Sequence, residues 1–550
     1  MVLPTASAGL VMDDVLVRMR LLGAETAWGT APWWDLYTFA RPELNAALRE
    51  AGFHPWWADP AVKMTFFRPL SAATHVLDYA LWPSVPALHH LHSVLWYGLS
   101  VAAAGALFRA LRPAAVRENA LAMLLFAVAA PHVATVGWIA ARNTLIASVL
   151  GCVLVSLHAG GRRLAALAVL VVGLLAGEAM LGSLGYVAAW QAFREPAPWP
   201  RRLGALVPYG LVVVVWRVWY TLAGFGAQQS GIYHDPGSDF VGFLGSFSVN
   251  LPALLLSRWV LFPVDSWALV PSVVHTGIVV AACVVLPLLG AVLWPLLRAD
   301  AWARFWAAGM LLSLVPFTAT MPMDRLLLFS GLGFAALVAR LAVAPPVGVR
   351  WACAALLVLH LPVSAAFGFF RAVTYGDSVN VFDSGLGQAP DDADVPGQTF
   401  VYVQGTFHRV HYTTLMRATG GGAVPRRSVV LSSMVHASAI TRVDADTLEV
   451  TPEPGFMAVD LDRIHRRDPT SLSVGDVVSL PDLDAEILSL TADGRPARVA
   501  FHFRVPLEDP SLRWLVVLPD GGGFPPKART QPLALPAIGE TITVPAVMPF

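Results

Sequence analysis

The chain has 550 residues, of which 56% are hydrophobic and 13% charged, against roughly a quarter charged in a soluble globular domain. With a mean hydropathy of +0.61 this is the composition of a polytopic membrane protein. Its 37 basic and 37 acidic side chains cancel without forming basic blocks, so the charge pattern gives no footing for a nucleic-acid partner.

Residues 1–84 are polar and rich in tryptophan. The opening MVLPTASAGLVM has no basic n-region, and its apolar part falls short of the about 20 residues a spanning helix needs, so it is not a cleavable signal peptide. An acidic pair, Asp13 and Asp14, follows directly. Trp28, Trp33, Trp34, Trp56, Trp57 and Trp82, scattered among polar residues, predict helices lying at the membrane interface, because an indole is apolar in its body and wet at its N–H. His75 and Asp78 stand three apart, close enough for a local pair on one helical face.

Residues 85–370 form an apolar core with about ten predicted spans, near 86–108, 119–136, 143–159, 164–179, 180–193, 204–223, 269–296, 303–320, 325–341 and 351–370. Arginines at 109, 112 and 117, at 162 and 163, at 194, 201 and 202, at 298 and 304, and at 340 and 350 mark the cytoplasmic loops. That alternation holds only if the hydrophobic stretch 240–264, which carries Asn250 and Arg258, is interfacial or re-entrant. Residues 1–84, the loops near 132–142, 224–239 and 317–325, and the whole tail then share the outer face. Cys152, Cys283 and Cys353 lie in apolar runs without disulfide or zinc spacing.

After a linker at 371–394, residues 395–550 change period. TFVYVQ, FHRVHYT, SVVLSS, TLEVT, DVVSL, AEILSL, ARVAFHF, RWLVVL and ETITV are short β-branched runs punctuated by Gly, Pro and Asp, predicting a β-sandwich-like domain. The glycine triplets at 420–422 and 521–523 lack the Lys-Ser/Thr of a phosphate loop and predict turns.

Ionisable groups in or beside spans cost on the order of 3 kcal/mol at a helix centre, so those retained are functional candidates. On the predicted outer face these are Asp13, Asp14, His132, Arg142, Glu178, Asp324 and Arg325. A guanidinium fork suits a phosphate and a carboxylate suits proton abstraction, so this set fits an anionic donor meeting a hydroxyl acceptor. Each arginine equally fits a side chain snorkelling to the interface, and Asp324 fits a simple neutraliser of Arg325. His89, His90 and His92 point in different directions on a helix, with no carboxylate at i+3 or i+4, which predicts hydrogen bonding and no metal site.

Four stretches in order carry a resemblance. FFRPLSAATHVLDYALW with HHLHSVLWYGL, APHVATVGWIAARNTL, GEAMLGSLGYVAAW and MDRLLLFSGLGFA resemble motifs of the GT-C class of membrane glycosyltransferases, in its protein O-mannosyltransferase-like branch. The resemblance covers roughly residues 10–345. It implies a polytopic α-helical GT-C-like core that transfers a sugar from a polyprenyl-phosphate donor to a protein, glycan or lipid acceptor on the outer face of a bacterial inner membrane. It implies the lipid-linked sugar as co-substrate, with neither cofactor nor metal. Asp13 or Asp14 would be the catalytic base, Arg142 and Arg325 would face the donor phosphate, and His132, Glu178, Asp324 and His90 would line the cavity. The family's acidic residue follows a first span, so the resemblance also implies a span upstream of residue 1. Three positions depart from the pattern: Gly177 replaces a lysine, Asp324-Arg325 replaces Glu-Arg, and Arg142-Asn143-Thr144 replaces Arg-Lys-Asp. These departures favour, as the rival reading, a non-catalytic scaffold of the same fold that binds glycan or protein. A transporter is the third reading, and the sequence argues against it, since neither inverted repeats nor mid-span charged pairs are evident and Arg217 is the only mid-span ion.

Overall fold

The computed structural model describes residues 1–550 except 25–26, 30, 347, 381–389, 522–526 and 548–550. Among the described residues seven helices are long and apolar enough to cross a membrane: Pro86–Leu111, Ile139–Ala159, Trp199–Leu222, Phe240–Val260, Ser272–Ala299, Asp324–Val343 and Arg350–Val379. The other apolar stretches are shorter helices, Val116–Ala127, Arg163–Leu174, Gly182–Phe193 and Ala301–Leu314. At 12 to 14 residues and about 1.5 Å per residue, each falls well short of a hydrocarbon core about 30 Å thick.

What shortens them is a set of breaks. Pro131 ends one helix ahead of the short turns His132–Gly137 and Ile139–Ala141; Gly177, at φ +149°, ends a second ahead of Glu178–Leu181. A third break runs from Val315–Ala319 to Asp324–Leu327 around Pro316 and Pro322. Irregular backbone at membrane depth survives only where protein or a cavity satisfies it, and polar side chains of the neighbouring helices do so here. Tyr97 Oη donates to the carbonyls of Phe126 and Ala127, Ser364 Oγ to Val128, and Tyr375 Oη to Ala134.

The stretch 240–264 holds a continuous 21-residue helix, Phe240–Val260, which rules out the re-entrant form of the expectation and leaves the interfacial one. Two of its polar residues serve the third break: Asn250 Nδ2 donates to the carbonyls of Thr318 and Thr320 at 3.0 and 2.9 Å, and Arg258 donates to that of Leu327. Their polarity, which argued against a span, is the hydrogen-bond complement of a neighbouring helix end. The linker is also shorter than expected: residues 371–380 continue the helix Ser364–Asn380, and most of the remainder, 381–389, lies outside the described residues.

The tail is strand-rich. One sheet of six antiparallel strands runs Thr541–Val544, Ser438–Arg442, Thr447–Pro452, Pro496–Phe503, Leu483–Leu490, Val477–Ser479. The other runs Ala528–Pro532, Leu512–Pro519, Thr399–Gln404, Arg427–Ser432, and its last two pairings are parallel. A parallel pair needs a crossover, so FHRVHYT is not a strand; it opens the helix Phe407–Gly420. Alternation along Thr399–Gln404 sorts the faces: Val401 and Val403 join the core between the sheets, while Phe400 and Tyr402 pack with Val410 of that helix. Gly420 closes the helix and Gly421, at φ +80°, makes the expected turn; the second triplet lies mostly outside the described residues.

The opening segment is bound into this tail. Trp56 and Trp57 are buried in the core between the two sheets, and their indole N–H groups donate to the carbonyls of Leu431 and Asp462 at 3.1 and 2.8 Å. Trp28 is buried with Val15, Leu16, Phe53 and Leu415. These three are anchors inside protein, correcting the interfacial reading, whereas Trp33 is exposed and Trp34 and Trp82 are part-exposed.

Candidate functional site

The three helix breaks, the opening segment and the tail enclose one cavity of about 1430 Å³. Breaks supply Ala134, Trp138 and Ala140, then Glu178 and Leu181, then Phe317, Met323 and Arg325. Helices Val207–Leu222 and Phe240–Val260 add an apolar wall of Val213, Trp216, Phe240 and Phe243, and the tail adds His411, Tyr412 and His465.

Four arginines and four carboxylates line this space, and most are matched. Arg68 Nε donates to Glu178 at 3.0 Å, with the Arg68 guanidinium over the rings of Tyr37 and Phe66. Tyr220 Oη donates to the other Glu178 oxygen at 2.5 Å. Arg217 pairs with Asp235 at 2.7 Å, and Arg371 pairs with Asp265 at 2.5 Å. Two groups remain without an ion-pair partner among the described residues. Asp13 accepts a hydrogen bond from Tyr412 Oη at 2.6 Å, and Arg325 lies over the Trp138 ring at 4.6 Å with its Nε on Met323 Sδ. Asp13 is outside the spanning helices and enclosed by protein except where it faces the cavity. Burial pushes its carboxyl above the ordinary value, against the lowering pull of the Tyr412 hydrogen bond and of the Arg325 and Arg68 charges.

Of the candidate site residues read from the sequence, Asp13, Glu178 and Arg325 line the cavity, and Asp14, His90, His132, Arg142 and Asp324 are not among its lining residues. Asp13 and Asp14 open the helix Asp13–Leu22, about 100° apart around its axis, so they face different ways. Asp14 is buried and accepts from the backbone N–H groups of Ala140 at 2.7 Å and Val11 at 3.2 Å, tying this helix to the first break; burial pushes its carboxyl up to about 8. Met12, at φ +45°, holds the pair in this orientation.

Arg142 is also structural in geometry. It is fully buried, pairs with Asp78 at 2.6 Å, and donates to Ser93 Oγ, Thr74 Oγ1 and the His89 carbonyl. His92 takes the other Asp78 oxygen at 2.6 Å, so Asp78 is not the partner of His75, whose Nε2 meets Tyr37 Oη instead. His90 Nε2 bonds the Gly9 carbonyl and His89 Nε2 that of Trp82. His132 is buried against Phe126 and the Tyr97 hydroxyl. Asp324 pairs with Arg371 and accepts from Ser257 Oγ, so it does not neutralise Arg325.

Sequence reasoning missed Arg68, Tyr220, Arg371 and Tyr412. Arg68 carried a signal, a charge between FF and Pro inside a recognised motif. Tyr412 carried none, because its place depends on a fold-back of about 400 residues. No protein-family model, curated protein or solved structure matches the chain.

Proposed function

We propose that the chain is a membrane glycosyltransferase with a GT-C-like core, moving a sugar from a polyprenyl-phosphate donor to an acceptor hydroxyl on the outer face of a bacterial inner membrane. The observation that carries the reading is the pair left over in the cavity. Asp13, an unpaired carboxyl of raised proton affinity, and Arg325, an arginine with no carboxylate partner, face the same space beside an apolar wall.

In this reading the isoprenoid chain lies along Val213, Trp216, Phe240 and Phe243, and the phosphate takes Arg325, with the Arg68 guanidinium on the same cavity wall. The acceptor oxygen attacks the anomeric carbon as its bond to the phosphate oxygen breaks. The bonding pair leaves with the polyprenyl phosphate, stabilised by arginine, and the hydroxyl proton passes to Asp13. Attack from the face opposite the phosphate inverts the anomeric centre.

The test is transfer of labelled sugar from a polyprenyl-phosphate donor in membranes carrying wild type, Asp13→Asn or Arg325→Met. General-base catalysis contributes about 10²–10⁴-fold, and Asp13→Asn is expected to lose that much turnover with donor binding retained. Full turnover in Asp13→Asn removes the base. Donor binding without turnover in the wild type supports the non-catalytic scaffold.

A further inference from the structure

The strand-rich tail meets Asp13 at the cavity through the side chain of Tyr412. The helix Phe407–Gly420 packs on the helix Asp13–Leu22, with Leu415 and Tyr412 in the same apolar cluster as Val15, Leu16, Trp28, Phe53 and Ile139. The tail is fixed there by more than this contact. Trp56 and Trp57 of the opening segment fill its core, Asp59 N donates to the His465 carbonyl, and Arg466 Nε donates to that of Trp57. A domain held at so many points is a wall of the cavity, not a lid over it.

On that wall the Tyr412 hydroxyl donates to Asp13 Oδ1 at 2.6 Å. A carboxylate that acts as base needs one oxygen free for the incoming proton and the other held, so that its plane does not rotate. Tyr412 holds Oδ1 of a residue that lines the cavity, and among the described residues no hydrogen bond occupies Oδ2. We propose that Tyr412 is a positioning residue for Asp13, so that the C-terminal strand-rich domain is a component of the transfer site. This inference rests on the reading of Asp13 as base.

The groups that face Asp13 are Tyr412 from the tail, Arg325 from the third break, Arg68 from the segment after Lys63–Thr65, and Asp14 next to it in the chain. His54, His411 and His465 line the same cavity. Tyr412, Arg325 and Arg68 favour the charged carboxylate and burial opposes it, while the Asp13 charge in turn raises Asp14. Removing the hydroxyl alone therefore raises the proton affinity of Asp13 and leaves the ring packing in place.

The experiment compares wild type and Tyr412→Phe in the full chain with two readouts. The first is the pH at which a water-soluble carbodiimide and amine half-modify Asp13, followed by peptide mass spectrometry; this reagent needs the protonated carboxyl and no turnover. The second is the pH profile of kcat/KM for sugar transfer. Tyr412→Phe is expected to move the half-modification pH and the acidic limb upward together, by about one pH unit, the size of one hydrogen bond to a charged group. Tyr412→Trp, which keeps an aromatic ring and places an indole N–H in its stead, tests packing separately through its melting midpoint. An unchanged half-modification pH in a folded Tyr412→Phe overturns the positioning role whatever the activity. A shifted half-modification pH in a protein whose Asp13→Asn variant transfers sugar at the wild-type rate upholds the contact and overturns the base assignment instead.

Discussion

Arg142 and Arg325 resemble each other in the sequence and differ in the structure, and one pair of substitutions separates them. Arg142 is fully buried, and Arg142→Met removes the cation opposite Asp78 and the donors to Ser93, Thr74 and the His89 carbonyl. Deleting one partner of a buried ion pair costs about 3–5 kcal/mol, because the other charge is left uncompensated. His92 stays on the other Asp78 oxygen at 2.6 Å and keeps the carboxylate partly hydrogen-bonded, so the lower end, about 3 kcal/mol, is expected here. The assay is the melting midpoint by tryptophan fluorescence in detergent, with binding of a short-chain polyprenyl phosphate measured below the melt. Arg142→Met should melt well below wild type while its folded fraction keeps the wild-type affinity. Arg142→Met with Asp78→Asn should recover more than half of the loss, since no charge is then buried alone. Arg325→Met, which breaks no ion pair, should keep the midpoint and lose affinity. A wild-type midpoint in Arg142→Met, or an affinity loss as large as that of Arg325→Met, would refute the assignment of Arg142 to the scaffold.

Trp56→Ala empties a site in the core between the two sheets, and a loss of about 3–5 kcal/mol is expected, read as rapid proteolysis of the tail with the membrane helices intact. Gly52→Ala asks for a Cβ 1.8 Å from the Ser428 carbonyl oxygen at φ +82°, so the opening segment should release from the strand Arg427–Ser432 at a cost of about 1–3 kcal/mol; a folded variant with wild-type hydrogen exchange at both segments would contradict this. Asp239 caps the helix Phe240–Val260 and meets Arg467 and His234. Against burial, which raises it, these bonds hold its carboxyl at about 2. A depressed carboxylate contributes above its unfolded value of about 3.9 and loses that contribution as pH falls through the folded one. Protection of residues 230–239, read as hydrogen exchange relative to the intrinsic rate at each pH, should therefore fall between about pH 4 and pH 2 in wild type, and Asp239→Asn should remove that loss.

Composition and period were enough to locate the large divisions: a polar opening, an apolar helical core and a strand-rich tail. These follow from local quantities, because twenty apolar residues or a run of β-branched alternation carry their meaning within a single window. The breaks were legible only as interruptions. The pieces at 164–179 and 180–193 were marked by their shortness, but nothing local said that Gly177, Pro131 and Pro316 end three helices around a common space. The partners of the stretch 240–264 were illegible for the same reason. Asn250 and Arg258 are costly in a lone helix and inexpensive beside the carbonyls of Thr318, Thr320 and Leu327 that accept from them, and the sequence does not record which helix lies next to which.

Candidate chemistry divides along the same line. Residue type and position drew attention to Asp13, Asp14, Arg142, Glu178 and Arg325, since ionisable groups near spans are expensive. Sequence by itself determined that these charges need a purpose. Tertiary structure decided which purpose: Asp78 claims Arg142, two backbone N–H groups claim Asp14, and Arg371 claims Asp324, while Asp13 and Arg325 are left facing the cavity. A charge becomes scaffold or site according to the partner within about 3 Å of it, and that partner comes from another part of the chain.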